Sequence, residues 1–142
     1  MLQPLQLPNN EVRKPQTNVK LLGIELDDRI SFTPHFKQRE GMACRALGQI
    51  WRLGGCYKGM SGTAVRQVYL GCVLPIMEYR LETWYWKKKV AHITKCQSIQ
   101  NQALRRGAVK TTPIDVLHVE AGVLPIEERF RLTAELCKAL RI

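Results

Sequence analysis

The chain lacks several patterns that assign a protein to a common functional class. Its 142 residues contain no uncharged apolar run of membrane-helix length, and the N-terminus lacks the basic-then-apolar pattern of a secretory signal. The motifs of dinucleotide-binding proteins, P-loop proteins, serine hydrolases and zinc proteases are also missing. We therefore expect an intracellular protein, in the nucleus or cytoplasm, with no membrane partner.

The cysteines and histidines offer no metal site or disulfide framework. The five cysteines are odd in number, no pair has C-x-x-C spacing, and the three histidines form no i,i+4 pair. Most of the cysteines fall on apolar helix faces, which predicts buried thiols in a reducing compartment. His35 is expected to be exposed near a helix start. No metal or cofactor is expected in this chain.

Acidic residues are scarce in the middle of the chain. Residues 41–110 contain 12 Lys and Arg but only two acids, Glu78 and Glu82, so this segment carries the whole net charge of +10. A basic middle between neutral flanks predicts a nucleic-acid partner, and a solvated basic surface is the alternative. The candidate contact residues are Arg45, Arg52, Lys58, Arg66, Lys87, Lys88, Lys89, Lys95, Arg105, Arg106 and Lys110.

The stretch Y-R-L-E-T-W-Y-W-K-K-K, residues 79–89, joins aromatic rings to three lysines. Trp and Tyr stack on bases while lysines contact phosphates. A helix corner packed by Trp84 and Trp86, with lysines in solvent, explains the same residues, and both interpretations can hold. Trp51 is expected in the core. The next helical segment adds amides suited to phosphate and sugar, which favour nucleic acid over a membrane surface. These are Gln97, Gln100, Asn101 and Gln102.

Hydrophobic periodicity predicts a mainly α fold, with a small N-terminal β-hairpin or strand followed by a bundle of about four to five helices. Residues 5–13 suit either a hairpin around an Asn-rich turn or a frayed tail. Val19–Leu26 suits one strand, with Leu22, Ile24 and Leu26 on one side and Gly23 allowing close backbone approach on the other.

Capping residues set the limits of the predicted helices. The first runs over residues 34–53, from a Thr33 cap to Gly54-Gly55. The second starts at a Ser61 cap and runs to about 79, with a kink or early end near Val73 because of Pro75. The third covers 87–106, with Val90, Ile93, Cys96, Ile99 and Ala103 on its apolar face and Gly107 at its end. The fourth begins with a Thr112 cap and ends at Gly122. The fifth begins at Pro125, and Leu132, Leu136 and Leu140 widen its apolar face.

Asp27 and Asp28 superficially resemble the aspartate pair that holds two magnesium ions in a polymerase. Such a site needs a further aspartate on a neighbouring strand, and the only other one, Asp115, lies far along in a helical segment. We therefore interpret the pair as turn residues whose side chains bond the backbone amides that follow.

Five motifs occur in an order that is similar to one family. They are V-K-L-L-G-I-E-L-D-D-R-I-S-F-T-P-H, R-A-L-G-Q-I-W-R-L-G-G, S-G-T-A-V-R-Q-V-Y-L-G-C-V-L-P-I-M-E-Y, Q-S-I-Q-N-Q-A-L-R-R and K-T-T-P-I-D-V-L-H-V-E-A-G-V-L-P-I-E-E-R. Together they resemble the C-terminal part of the reverse transcriptase of non-long-terminal-repeat retrotransposons of the Tad or R1 type. The resemblance implies a palm-edge strand in residues 1–30, a helical thumb in 31–110 and a connector towards ribonuclease H in 111–142. Lys20 and Gly23 match the strand that steadies the primer end.

The resemblance implies a fragment of an RNA-directed DNA polymerase that binds template–primer nucleic acid through a basic helical surface. The catalytic aspartates and the Mg²⁺ they bind belong to the parent polymerase, so this chain alone is expected to be inactive. Its partners would be the template–primer and the rest of the polyprotein. The alternatives are a host helical module that binds an acidic protein, and a relic without a role.

Overall fold

The structure, a computed structural model, describes residues 5–6, 8, 12–14, 16–53, 61–87, 89–106, 108 and 111–140. The chain divides into two compact units, Met1–His35 and Phe36–Ile142. The first contains short antiparallel strands and the second is helical, which confirms the predicted mainly α fold. Among the described residues, no helix combines the length and the apolar character needed to cross a membrane.

The first unit begins with a short antiparallel pair of strands. Strand β1, Leu5–Gln6, pairs with β2, Val12–Arg13, with Leu5 opposite Arg13. This pairing confirms the hairpin interpretation of the N-terminal residues over the frayed tail.

A second hairpin replaces the single strand predicted for Val19–Leu26. Strand β3, Asn18–Leu21, pairs antiparallel with β4, Ile24–Asp27. Leu22 and Gly23 form the two-residue turn, and both have positive φ, 48° and 79°, as in a type I′ turn. The prediction of one strand was wrong because a leucine gives no sequence signal for this conformation. Leu22 is 74% exposed rather than facing a shared side with Ile24.

The chain leaves β4 through a turn organised by Asp27. Its Oδ1 accepts hydrogen bonds from the backbone N–H groups of Ser31, at 2.8 Å, and Phe32, at 3.1 Å. Ile30 and Phe32 adopt left-handed conformations, with φ of 50° and 56°. The turn role predicted for this aspartate is thus confirmed. The Ser31 hydroxyl, helped by these N–H groups, lowers the pKa of the Asp27 carboxyl below its ordinary value.

Helix α1 spans Thr33–Leu53, so Thr33 is its first residue rather than its cap. Phe36, Ala43 and Leu47 are buried, as the apolar periodicity predicts. His35, which was expected to be exposed, is buried. The predicted stop at Gly54-Gly55 lies outside the described residues.

The second predicted helix continues past the proline that was expected to disturb it. Helix α2, Gly62–Val68, is capped by Ser61, whose Oγ accepts from the Ala64 N–H, as predicted. A π turn, Tyr69–Val73, follows and leads directly into α3, Leu74–Glu78. The irregularity near Pro75 is therefore a π turn, and the helical run does not end early.

Helices α4, Leu81–Trp84, and α5, Val90–Arg106, are separated by a short 3-10 turn, Tyr85–Lys87. The predicted start of α5 at Lys87 was three residues early, and its first residue, Val90, is 84% exposed instead of lying on the buried face. The other four predicted core positions of α5 are buried. Gly107, its predicted end, lies outside the described residues.

The last two helices are α6, Ile114–Ala121, and α7, Ile126–Ala139. Pro113 occupies the N-cap position of α6 without a side-chain hydrogen bond, so the Thr112 cap was wrong by one residue, whereas Gly122 ends the helix as predicted, in a left-handed conformation. Ile126, Phe130 and Ala134 of α7 are buried, but three leucines expected to widen its apolar face are exposed. These are Leu132, Leu136 and Leu140.

Trp84 joins three helices of the second unit at its core. Its ring meets Phe36 of α1 edge-on at 4.3 Å between centroids, and Phe130 of α7 in the same manner at 5.7 Å. Its Nε1 donates to the Tyr79 carbonyl at 3.0 Å. Because the indole N–H has a partner, burial of this large ring is favourable.

Candidate nucleic-acid interface

Helices α1 and α5 form a pair that runs in one direction. Three side-chain contacts join them in the same order along both helices. They are Phe36 with His92 (4.2 Å between ring centroids), Glu40 with Lys95 (3.2 Å) and Trp51 with the Arg106 guanidinium (4.3 Å from the ring centroid). This order of contacts fixes the pair as parallel, with both C-terminal ends on one side.

The parallel pair is strongly basic. Its two helices contain seven cations and a single carboxylate, Glu40. Arg45 and Arg52 lie seven residues apart, on one side of α1, and both are exposed. Lys37, two turns before Arg45, is exposed as well. The sequence interpretation missed Lys37 because the segment chosen from the charge counts began at residue 41. Helical periodicity is the sequence signal that adds Lys37 to the predicted contact residues.

On α5, two of the three cations combine a structural contact with exposure. Lys95 pairs with Glu40, and Arg106 stacks on Trp51, which is half-buried rather than in the core. Arg105 is exposed in the last turn. We call one set of cations on these helices the basic helix pair: Lys37, Arg45, Arg52, Lys95, Arg105 and Arg106.

Part of this charge offsets the helix dipoles. A parallel pair places the partial negative charges of both C-terminal ends next to each other, which is unfavourable without compensating cations. Arg52 lies in the last turn of α1, and Arg105 and Arg106 lie in the last turn of α5. Three full positive charges outweigh two partial negative charges, so the C-terminal end of the pair remains positive.

Three of the four amides of α5 that were considered for phosphate and sugar contacts make hydrogen bonds within the protein. Gln97 accepts the Ile126 N–H at 2.9 Å, and Gln100, fully buried, donates to the Leu124 carbonyl at 2.8 Å. Asn101 Oδ1 lies 3.2 Å from Nε2 of the buried His118. These three amides therefore make contacts within the protein that hold the turn before α7, and the full burial of Gln100 makes the predicted phosphate or sugar contact wrong for that residue.

A groove of about 520 Å³ follows the exposed side of α5. Two apolar residues of α5 line it, together with several polar ones and one carboxylate from the start of α7. They are Val90, Ile93, Thr94, Gln97, Ser98, Asn101, Gln102, Arg105 and Glu127. Hydroxyl and amide groups in a row ending at an arginine suit a sugar–phosphate backbone. Of the four amides considered for phosphate and sugar contacts, Gln102 is the exposed one.

The aromatic and lysine stretch divides between core and surface. Trp84 is buried, whereas Trp86 is 62% exposed and Lys87 beside it is exposed. The Nζ of Lys138, on α7, lies 5.5 Å from the centroid of the Trp86 ring. The sequence offered no signal for Lys138, because it lies 52 positions away in a helix with mixed charges.

The remaining predicted contact residues lie apart from the basic helix pair or are not described. Arg66 is half-buried and donates to the Ala121 carbonyl at the end of α6, so its role in the structure is internal. Lys20 stands opposite Glu25 in the hairpin, and Gly23 forms its turn, in the first unit. Lys89 is exposed just before α5. Three others lie outside the described residues, namely Lys58, Lys88 and Lys110.

The cysteines differ from the expectation of buried thiols. Of the four described, Cys44 and Cys72 are exposed, Cys137 is half-buried and Cys96 is buried. Burial raises the pKa of the Cys96 thiol to about 12. Within the described ranges, no group of three or more His, Cys, Asp or Glu side chains is placed to hold a metal ion.

The opposite charge prevails on the last two helices. Helices α6 and α7 together contain five acidic and three basic residues, for a net charge of −2. The net charge is therefore positive on α1 and α5 and negative on α6 and α7, although α7 also contains Arg129, Arg131 and Lys138.

Comparison with known proteins gives one relationship. No protein-family model matches the chain, and no solved structure matches it. A Drosophila melanogaster protein described as "Probable RNA-directed DNA polymerase from transposon BS" is 31% identical over 97% of the chain. The chain spans 15% of the length of that protein. The similarity supports a relationship to the reverse transcriptases of transposable elements.

Proposed function

We propose that this chain is a segment of an RNA-directed DNA polymerase of a transposable element, and that its helical unit holds the nucleic-acid duplex. The observation that carries the proposal is the similarity to the Drosophila transposon protein along 97% of the chain. The order of the five motifs supports a finer assignment. In it, the hairpin unit is the palm edge, α1–α5 belong to the thumb, and α6 and α7 form the connector.

The charge distribution supports the duplex-holding role. The helical unit contains 18 basic and 8 acidic residues, so it accounts for the full net charge, and the hairpin unit is neutral. Within the helical unit, the basic helix pair presents its cations from exposed helix surfaces. Such cations contact phosphates and carry no direct sequence information. The expected binding is therefore insensitive to base sequence.

A double substitution of the last-turn arginines of α5 tests the duplex-binding role. In Arg105→Gln/Arg106→Gln, we expect the affinity for an RNA–DNA duplex to fall by a similar factor for unrelated sequences. The slope of log K against log salt concentration should decrease by about 2, since each lost phosphate contact removes about one unit. Fluorescence anisotropy at a series of salt concentrations measures both quantities.

Arg131→Gln is the matched control. Arg131 is exposed on α7, pairs with Glu128 at 2.6 Å, and lies on a helix with net negative charge. This variant should bind like the wild type. If the double variant keeps the wild-type salt slope, the contact assignment is wrong. If polyglutamate competes as well as a duplex of equal charge, the surface serves an acidic protein instead of nucleic acid.

A further inference from the structure

We propose that Trp86 forms a stacking site for an unpaired nucleobase at the edge of the duplex-binding surface. The inference rests on the proposed function, and it adds a base contact to the phosphate contacts of the basic helix pair. The site consists of Trp86, Lys138 and Glu82, together with the small side chains that line the pocket beside them.

The exposure of Trp86 is the first observation. Its neighbour Trp84 fills the core, so packing does not account for a second tryptophan that is 62% exposed. Tyr85, which is buried, meets the Trp86 ring edge-on, with 5.2 Å between the ring centroids and an interplanar angle of 81°. The buried neighbour holds one edge of the indole, so the ring is oriented before a ligand arrives.

The surroundings of the ring are the second observation. A pocket of about 360 Å³ lies beside it, lined by Trp86, Glu82, Lys138, Ala134 and Cys137. Lys138 Nζ lies over one face of the ring, 5.5 Å from its centroid, so a base stacks on the other face and the ammonium group is a cation for the phosphate of that nucleotide. Glu82 is half-buried, with Oε1 3.9 Å from Arg80 Nη1, and supplies an acceptor for an exocyclic amino group. An aromatic face, a cation and an acceptor in one concave place suit a nucleotide.

The position of the ring is the third observation. Trp86 precedes the first residue of α5 by four positions, whereas Arg105 and Arg106 end that helix, about 25 Å away along its axis. Within a duplex both faces of a base are covered except at the ends, so an unpaired base is the form that stacks most readily on the ring. The proposal places the single-stranded extension of a duplex bound to the basic helix pair at Trp86.

The test compares a blunt RNA–DNA duplex with the same duplex carrying a single-stranded extension. The wild type should bind the extended duplex more tightly. Trp86→Ala should lower affinity for the extended duplex by roughly five- to 150-fold, the range for loss of one stacked base, and change blunt-duplex affinity much less. Trp86→Phe should retain most of the preference, because it keeps an aromatic face. Val119→Ala, at an exposed apolar position of α6 outside both this pocket and the α5 groove, is the control without an effect.

A spectroscopic readout separates stacking from a structural effect. Titration with the extended duplex should quench tryptophan fluorescence in the wild type, and the quench should be much smaller in Trp86→Phe, which retains Trp51 and Trp84. If Trp86→Ala loses no preference while Arg105→Gln/Arg106→Gln still weakens binding, the stacking site is wrong and the duplex role stands. If the wild type binds neither duplex, both proposals are wrong.

Discussion

At the scale of single residues, identical side chains on one helix have different structural roles. Gln97 and Gln102 lie five positions apart on α5, yet Gln97 accepts the first N–H of α7 and Gln102 contacts only Ser98, at 3.4 Å, among the described contacts. The first N–H groups of a helix have no partner within the helix, so an acceptor there replaces a cap. Pro125, the residue before α7, provides no side-chain cap.

The first prediction concerns this substitute cap. Gln97→Leu should destabilise the protein by about 1 kcal/mol, because the Ile126 N–H loses its acceptor near the core. Thermal unfolding followed by circular dichroism should show a midpoint lower by a few degrees. Gln102→Leu makes the same chemical change on the exposed side and should stay within about 0.5 kcal/mol of the wild type. Equal losses in both variants would contradict the capping role.

The second prediction concerns pH and Asp27. Because the folded-state pKa of this carboxyl lies below its ordinary value of 3.8, its contribution is present above that pH and is lost as the pH falls through the lower, folded-state value. We expect the backbone amide signals of Ser31 and Phe32 to shift and lose exchange protection in that acid range, as measured by NMR.

Asp27→Asn keeps an acceptor oxygen without a titrating group, so its amide signals should not change with pH in this range. Asp28→Asn changes the adjacent exposed carboxyl, which accepts neither of these N–H groups among the described bonds, and should keep the wild-type profile. A pH-dependent response in Asp27→Asn equal to that of the wild type would assign the effect to another group.

At the scale of elements, the β3–β4 hairpin has an unusual turn. A two-residue turn with positive φ at both positions favours Asn-Gly, whereas this chain has Leu22-Gly23. A leucine in the left-handed region costs about 1–2 kcal/mol relative to a residue that tolerates it. Its side chain is largely exposed, so little apolar burial offsets that cost.

The third prediction follows from this turn. Leu22→Asn should stabilise the hairpin by about 0.5–1 kcal/mol, since asparagine tolerates the conformation and little buried surface is lost. Slower amide hydrogen exchange in β3 and β4 would measure the gain. Gly23→Ala should have the opposite effect, because φ at this position is 79°. Faster exchange in Leu22→Asn would contradict the turn assignment.

Helix positions were largely predictable from the sequence, and side-chain partners were not. Apolar periodicity located α1, α5 and α7, and Ser61 and Gly122 marked ends that the structure confirms. Periodicity alone does not show which of two broad faces meets the core. The exposed leucines of α7 are the example, since they repeat every four residues just as buried ones do.

The candidate site was predictable in its charge and less so in its parts. Counting charges located the arginines of α1 and α5, because exposed cations need no partner to be recognised. The internal partners of Gln97 and Gln100 were missed because Ile126 and Leu124 lie more than 20 positions away in the sequence. Trp84 is buried and Trp86 is exposed, although both lie in one short helical segment. Neither the helical nor the strand period predicts this difference.

At the scale of the whole molecule, the helical unit combines two basic helices, α1 and α5, with two helices of net negative charge, α6 and α7. The proposed function assigns phosphate contacts to the basic helix pair, the further proposal assigns base stacking to Trp86, and the two sets of variants separate these roles. The parallel packing of α1 and α5 also explains why cations concentrate at one end of the pair, where both helix dipoles are negative.

Under the proposed function, the separation of charge between α1/α5 and α6/α7 would also govern how the molecule meets a polyanion. A body with a positive and a negative side experiences a torque in the field of a nucleic acid, and it turns its positive side forward before contact. Fewer encounters then occur in unproductive orientations, so association is faster than for a randomly oriented approach. Added salt shortens the range of this field and slows association, while the lifetime of the bound state changes less.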